Sequence, residues 1–205
     1  MDAGEFQAAT GVSRETRERL EAYAESLRRW QKAINLVGAK TLPDLWRRHM
    51  LDSAQLRPLV PDDTQCLVDL GSGAGFPGLV LAIMGVQGVH LIESDARKAA
   101  FLREAARVTG AAVTVHVARI EAVEGLAADV VTARAFAPLG RLLAAAARFW
   151  TPNTLGLFLK GQDIDAELTE AAKCWRFTTE RLPSRSDPSG VVLRVGGLSR
   201  ADADH

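Results

Sequence analysis

The sequence predicts a doubly wound α/β domain with a mainly parallel sheet, a C-terminal antiparallel hairpin and an N-terminal helical extension. Three observations carry this reading. Short apolar runs alternate with helical patterns from Cys66 onward, a glycine-rich turn separates the first run from the first helix, and a loop rich in Pro, Ser, Asp and Gly joins the last two runs. A chain of 205 residues is long enough for one sizeable core. The expected division is a helical extension over 1–60, an α/β core over 61–198 and a loose polar tail over 199–205.

In chain order, Leu20, Tyr23, Ala24, Leu27, Trp30, Ile34 and Val37 recur at helical spacing between Ser13 and Val37, with charged residues on the opposite face. Ser13 suits the N-cap, Glu15 complements the positive end of the dipole, and Gly38 suits a left-handed stop. A second helical stretch is expected from about Asp44 to Leu56. Strands are expected at Cys66–Leu70, Val89–Ile92, Val113–Val117, Asp129–Thr132 and Leu155–Leu159, with helices beginning near Pro77, Arg97, Pro138 and Asp163. Trp175–Leu182 and Val191–Val195 read as the terminal hairpin.

Composition excludes several classes. Apolar residues make up 47% and charged residues 24%, ordinary values for a globular protein and far from those of a disordered chain. The formal net charge is zero, so only a local cluster such as Arg47-Arg48-His49 points to a polyanionic partner. Cys66 and Cys174 lack zinc-binding spacing and are expected to be buried free thiols, with no metal site. Without a signal peptide or an apolar run of about 18 residues, the protein is expected to be cytoplasmic and independent of membranes.

The segment Asp69-Leu70-Gly71-Ser72-Gly73-Ala74-Gly75-Phe76-Pro77-Gly78 joins the first strand to the first crossover helix. Glycines there permit a tight turn and let backbone amides approach a ligand at the carboxyl edge of the sheet, with Pro77 suited to the first helical position. Gly73 to Gly78 also matches the dinucleotide pattern G-x-G-x-x-G, with Glu93 about 20 residues on. Three features favour S-adenosylmethionine and the Rossmann-like fold of class I methyltransferases. Asp69 can face the ammonium, Glu93 can bind both ribose hydroxyls, and Ile120-Glu121 follows the third strand where an adenine would lie. Few residues remain for the separate substrate domain of a dehydrogenase.

With these residues in place, the sequence resembles the bacterial methyltransferases acting on a guanine of 16S ribosomal RNA, the glucose-inhibited division protein B family. The matching elements run through nearly the whole chain: Asn35-Leu36-Val37, Arg48-His49-Met50-Leu51-Asp52-Ser53, Asp69 through Gly78, Glu93-Ser94 with Lys98 and Phe101-Leu102, Arg119-Ile120-Glu121, Arg134 through Leu139, and Lys160-Gly161-Gln162. The resemblance implies methylation of N7 of the guanine at position 527 of 16S rRNA. It also implies cofactor contacts at Gly71, Phe76, Ile120, Glu121 and Arg134. The family's paired lysines after the second strand read here as Arg97-Lys98.

The residues agree with that target. No Asn/Asp-Pro-Pro-aromatic segment for exocyclic amines follows the fourth strand, and no cysteine for pyrimidine carbon stands at a strand end. Guanine N7 is already a lone-pair nucleophile, so in-line positioning suffices and no general base is required. Arg134 and Lys160, at the ends of the fourth and fifth strands, are the expected catalytic positions. His49 shares a helix face with Asp52 and is given a positional role, either packing the helix on the sheet or touching RNA. Arg47, Arg48, Arg97 and Lys98 are the candidate phosphate contacts. Trp30, Trp46, Trp150 and Trp175 can stack on bases, with core packing favoured for Trp30. The expected partner is 16S rRNA or the small subunit, met by a monomer. The rival readings are a small-molecule methyltransferase, a nicotinamide-dependent oxidoreductase and a non-enzymatic assembly factor.

Overall fold

The computed structural model describes residues 1–201. Seven strands form one sheet in the order β3-β2-β1-β4-β5-β7-β6. They are β1 (Leu67–Leu70), β2 (Val89–Glu93), β3 (Val113–Val117), β4 (Val130–Arg134), β5 (Leu155–Lys160), β6 (Trp175–Pro183) and β7 (Val191–Arg200). The first five run parallel, and β7 pairs antiparallel with both β5 and β6. Strand order reverses between β1 and β4, which opens a ligand crevice at their carboxyl ends.

Alternate residues of each strand feed two cores. Leu67, Leu91, Val130 and Leu157 pack with the N-terminal helices, α4 (Gly78–Ile83) and α5 (Ala96–Thr109). Val68, Leu70, Ile92, Val131 and Phe158 pack beneath α6 (Leu139–Ala146) and α7 (Ile164–Ala171). Near-continuous burial along β1 and β4 follows from helices on both faces.

The N-terminal extension departs from its expected form in three places. Ala3–Thr10 is a helix, α1, closed by a capping box between Asp2 and Glu5. The long helix, α2 (Arg14–Trp30), ends well before Gly38. Gln31 accounts for this: its Oε1 accepts from the Leu36 and Val37 N–H groups, each at 3.0 Å, and its Nε2 donates to the Val37 carbonyl at 2.9 Å. The segment after Thr41 is a 3₁₀ turn, a π-helical stretch over Trp46–Leu51 and a short α3 (Asp52–Ala54), rather than one regular helix.

Three smaller expectations also change. Ser199 and Arg200 belong to β7, and the Ala201 N–H donates to the Cys174 carbonyl at 3.0 Å, so the polar tail is at most 202–205, which lie outside the described residues. Both cysteines are free thiols, but Cys66 is half-buried and Cys174 is exposed. Pro77 occupies the N-cap of α4 rather than its first turn.

Tyr23 of α2 is fully buried, and its hydroxyl donates to the Ala74 carbonyl inside the glycine turn. Its ring lies 5.3 Å from Phe76 and 6.2 Å from Phe101. The extension thereby supports the loop that shapes the ligand edge. Tyr23→Phe keeps the packing but leaves the Ala74 carbonyl buried without its donor, so stability should fall by about 1–3 kcal/mol. Urea unfolding measures this, and a loss below about 0.5 kcal/mol would show that the carbonyl is satisfied otherwise.

Candidate active site at the carboxyl edge of the sheet

The turn after β1 has two kinds of glycine. Gly71 and Gly73 adopt φ of +64° and +56°; a Cβ on Gly73 would meet only the Gly71 carbonyl at 3.7 Å, so it is open there, whereas a Cβ on Gly71 would meet the Phe136 ring at 2.8 Å. Gly75 has φ +95°, but its missing Cβ leaves room for Tyr23, Leu79 and Leu102 at 2.9–3.1 Å. The side-chain face of Gly75 therefore serves packing. Gly78 does the same for Leu91 and Asp69, letting α4 approach the sheet.

Glu93, at the end of β2, is almost fully buried. Its Oε2 accepts from the Gly73 N–H at 2.9 Å and its Oε1 from the Asp95 N–H at 2.7 Å. Each oxygen keeps a lone pair for a hydroxyl. A cleft runs from Gly71 and Glu93 to Ile120 and Glu121, with the Phe136 ring as its far wall. Ile120 is buried and Glu121 exposed, so the turn after β3 offers an apolar floor and a polar rim. These residues fit an adenosine: an acid for ribose hydroxyls, an apolar surface for the purine and glycine backbone for the rest.

Asp69 lies beneath the turn rather than beside the cleft. It has no exposed surface, its Oδ1 accepts from Thr132 Oγ1 at 2.8 Å, and its Oδ2 has no hydrogen-bond partner among the described residues. Burial pushes its carboxyl up to about 6, against hydrogen bonds that lower it. Direct contact with a ligand ammonium is thus replaced by support of the turn from below.

Phe76 is likewise turned inward. Its ring packs 5.3 Å from Tyr23 and 5.0 Å from His49, while the Arg134 guanidinium carbon sits 4.8 Å from its centroid. The Phe76 ring is a buried platform for Arg134, which leaves only the backbone of Phe76 for the expected ligand contact. Arg134, at the end of β4, donates from Nη1 to the Arg48 carbonyl at 3.1 Å and pairs with Asp52 Oδ2 at 3.4 Å. Its Nη2 donates to His49 Nδ1 at 2.8 Å. Burial lowers the Arg134 pKa, opposed by Asp52.

The same contact fixes His49. With Nδ1 accepting from Arg134, the ring proton sits on Nε2, which donates to Thr41 Oγ1 at 2.7 Å, and the Thr41 hydroxyl in turn donates to the Gly38 carbonyl at 2.8 Å. Burial, then the Arg134 and Arg48 charges, hold the imidazole at about 3, below its ordinary 6.5. His49 is a buried neutral acceptor, which removes it from the RNA contacts.

Lys160 donates to the Ala137 carbonyl at 3.0 Å and pairs with Glu167 at 2.6 Å, so it grips the segment after β4. In that segment Ala135 has φ +50°, the one positive value outside glycine among the described residues. Phe136 follows it, exposed and packed over Gly71. The importance of Phe136 and Tyr23 was missed; the exposed aromatic beside a strand end was the available signal for the first.

Of the other predicted cations, Arg47 pairs with Asp44 at 3.6 Å, Arg48 with Asp187 at 2.6 Å and Arg97 with Asp95 at 3.9 Å. Lys98 lies beside Arg97 in the first turn of α5, capped by Asp95. The tryptophans are occupied: Trp46 packs on Phe6, Trp30 on Phe101, and Trp175 beneath Arg200, while Trp150 Nε1 is buried. Among the described residues no group of three or more His, Cys, Asp or Glu is placed to hold a metal, and no helix is long and apolar enough to cross a membrane.

A family model described as GidB, rRNA small subunit methyltransferase G, matches residues 16–186. The chain belongs to the GidB family. A ribosomal RNA small subunit methyltransferase G from Rhodospirillum rubrum is 59% identical over 96% of this chain and 98% of its own. That of Paramagnetospirillum magneticum is 58% identical over 99% of each. This makes the GidB-family chain an S-adenosylmethionine-dependent methyltransferase. The fold is also that of more distant solved structures. A putative O-methyltransferase from Klebsiella pneumoniae aligns with TM-score 0.58 at 17% identity, over 87% of this chain and 90% of its own. M. jannaschii TYW2, solved in complex with AdoMet, aligns with TM-score 0.57 at 16% identity, over 83% and 80%.

Two predictions follow from this geometry. Gly73→Ala should weaken S-adenosylmethionine binding more than it destabilises the fold, whereas Gly75→Ala should cost about 2–4 kcal/mol of stability through its strained φ and filled space. Calorimetric titration beside urea unfolding separates the two; equal losses of stability would undo the distinction. His49 is more basic unfolded than folded, so its stabilising contribution is complete above pH 6.5 and is lost as pH falls toward 3. Between pH 7 and 5 the native protein should lose about 2 kcal/mol more than His49→Asn. Parallel curves for the two proteins would place the titration elsewhere.

Proposed function

We propose that the protein transfers a methyl group from S-adenosylmethionine to N7 of the guanine at position 527 of 16S rRNA, by positioning alone. The observation that carries this is the state of His49. The histidine nearest the site is buried, neutral and already bonded through both ring nitrogens, so it is not free to act as a base. N7 needs none: its lone pair attacks the methyl carbon while the carbon–sulfur bond breaks, and the purine takes the positive charge.

S-adenosylmethionine, when bound, supplies the electrophilic methyl. The chain's own residues do the rest. Gly71, Glu93, Ile120 and Glu121 line the cleft suited to the adenosine, and the open face of Gly73 lies beside Glu93, which holds its N–H. Arg134, fixed on Phe76 by three further partners, sets the shape of the β4 edge where N7 must arrive. Lys160 holds the Ala137 carbonyl and so fixes the segment between donor and acceptor. Arg47, Arg48, Arg97 and Lys98 are available to phosphates, since their acidic partners form surface pairs that contribute little. The small ribosomal subunit or its rRNA is the partner, and the protein acts as a monomer in the cytoplasm.

Mass mapping of 16S rRNA after incubation with protein and S-adenosylmethionine tests the target, and a methyl group on another atom or nucleotide would refute it. Under single-turnover conditions with saturating substrates, Arg134→Ala should lower the transfer rate by about 100-fold, the cost of a small misplacement. His49→Asn, whose amide oxygen can still accept from Arg134, should stay within about tenfold of the native rate. Loss of transfer in a folded His49→Asn protein with intact binding would give His49 a chemical role.

A further inference from the structure

A second cleft opens on the other side of Ala135 from the adenosine cleft. Its walls are Arg48 and Asp52 from the helical segment, Arg134 and Lys160 from the strand ends, and Ser184 and Asp187 from the loop joining β6 to β7. This loop is tied down. Ser186 Oγ donates to Asp52 Oδ1 at 2.5 Å, and the Arg185 N–H donates to Gln55 Oε1 at 2.8 Å. The loop of the antiparallel hairpin thus forms one fixed wall of this cleft.

We propose that this cleft receives the target guanine and that the Asp187 carboxylate reads its Watson–Crick edge, accepting from N1–H and the N2 amine. The proposal rests on the guanine-N7 reading above. A base whose N7 faces the methyl donor turns its Watson–Crick edge about a right angle away from the line of attack, toward a side wall of the cleft, and the hairpin loop forms such a wall. Guanine is the one common purine with two adjacent donors on that edge, and a carboxylate is their complementary acceptor. Adenine would place a lone pair against the same carboxylate, leaving both unpaired.

The choice between the two acids of the cleft follows from their partners. Asp52 is committed: Ser186, Gln55 and Arg134 already share its two oxygens. Asp187 is held within its own turn and by one exposed side chain: Oδ1 accepts from the Ser189 N–H at 2.9 Å and the Ser189 hydroxyl at 2.7 Å. Its Oδ2 is held by Arg48, a side chain 43% exposed and able to swing toward an RNA phosphate as the base enters. Those contacts also keep Asp187 ionised, at about 2. Methylation makes the purine cationic, so N1–H becomes a stronger donor as the new bond forms, and the contact to Asp187 tightens in the transition state.

Synthetic 16S rRNA carrying inosine in place of the target guanine tests this without altering the protein. Inosine keeps N7, O6 and N1–H and lacks only the N2 amine. The native enzyme should methylate guanine RNA with a kcat/KM at least about tenfold above inosine RNA, the effect of one hydrogen bond to a charged group. Asp187→Asn and Asp187→Ala should lower the guanine value by at least that factor and bring the ratio near one, with S-adenosylmethionine affinity and unfolding midpoint retained. Equal native values for the two RNAs, or a variant that loses both in proportion, would overturn the assignment of Asp187. A native enzyme that places no methyl on N7 of guanine RNA would overturn the underlying reading and the guanine pocket with it.

Discussion

The site is organised around one buried charge. Arg134 ends β4 with its side chain only 18% exposed, and a guanidinium cannot shed its proton to escape that environment. Every neighbour answers to it. Phe76 offers a ring face, Asp52 a carboxylate, Arg48 a backbone carbonyl and His49 a ring nitrogen. His49 can accept only while neutral, so the charge of Arg134 and the depressed basicity of His49 are one phenomenon seen from two residues. The π-helical stretch over Trp46–Leu51 belongs to the same arrangement, since it contains both His49 and the Arg48 carbonyl that meets Arg134.

That constraint makes the N-terminal extension part of the catalytic fold. Phe76 carries Arg134 on one face and meets Tyr23 across the other, and Tyr23 in turn holds the Ala74 carbonyl. Asp69 closes the assembly from the sheet side, bonded to Thr132 of the neighbouring strand. The glycine turn is therefore fixed from below by helix and sheet and covered at Gly71 by Phe136, which leaves Gly73 as its open glycine.

The parallel core was legible because burial on both faces and helix-strand alternation write a strong local pattern; β3 matched to the residue, and the other expected strands overlapped those observed. The helical extension was less so. A long apolar stripe from Leu20 to Val37 continues through the bend at Gln31, because Ile34 and Val37 still pack on the core after the chain turns. Periodicity cannot register such a side-chain cap. For the same reason the glycine motif pointed to the right loop but not to the division of labour within it: whether a glycine faces a ligand or a tyrosine depends on α2, distant in sequence. Glu93, Ile120 and Glu121 line the cleft together, since each stands at the end of a parallel strand or in the turn after it. Phe76, Asp69 and Gly75 turned inward, where only packing decides orientation.

The segment from Ala135 to Ala137 is the wall on which the proposed positional mechanism relies. A left-handed alanine is a cost that a free loop would relax away, and here three contacts prevent it: Phe136 packs on Gly71, Lys160 holds the Ala137 carbonyl, and Glu167 holds both Lys160 and the Leu139 N–H. The wall between the two clefts is thus pinned at each end by the elements that form them. A nucleophile that needs no proton removed gains most from a fixed approach, since its barrier depends on distance and angle rather than on a titrating partner. An acid–base pair in this wall would bring a change of charge during turnover next to Arg134. His49 instead stays neutral beside Arg134, and Asp52 is paired with that same charge.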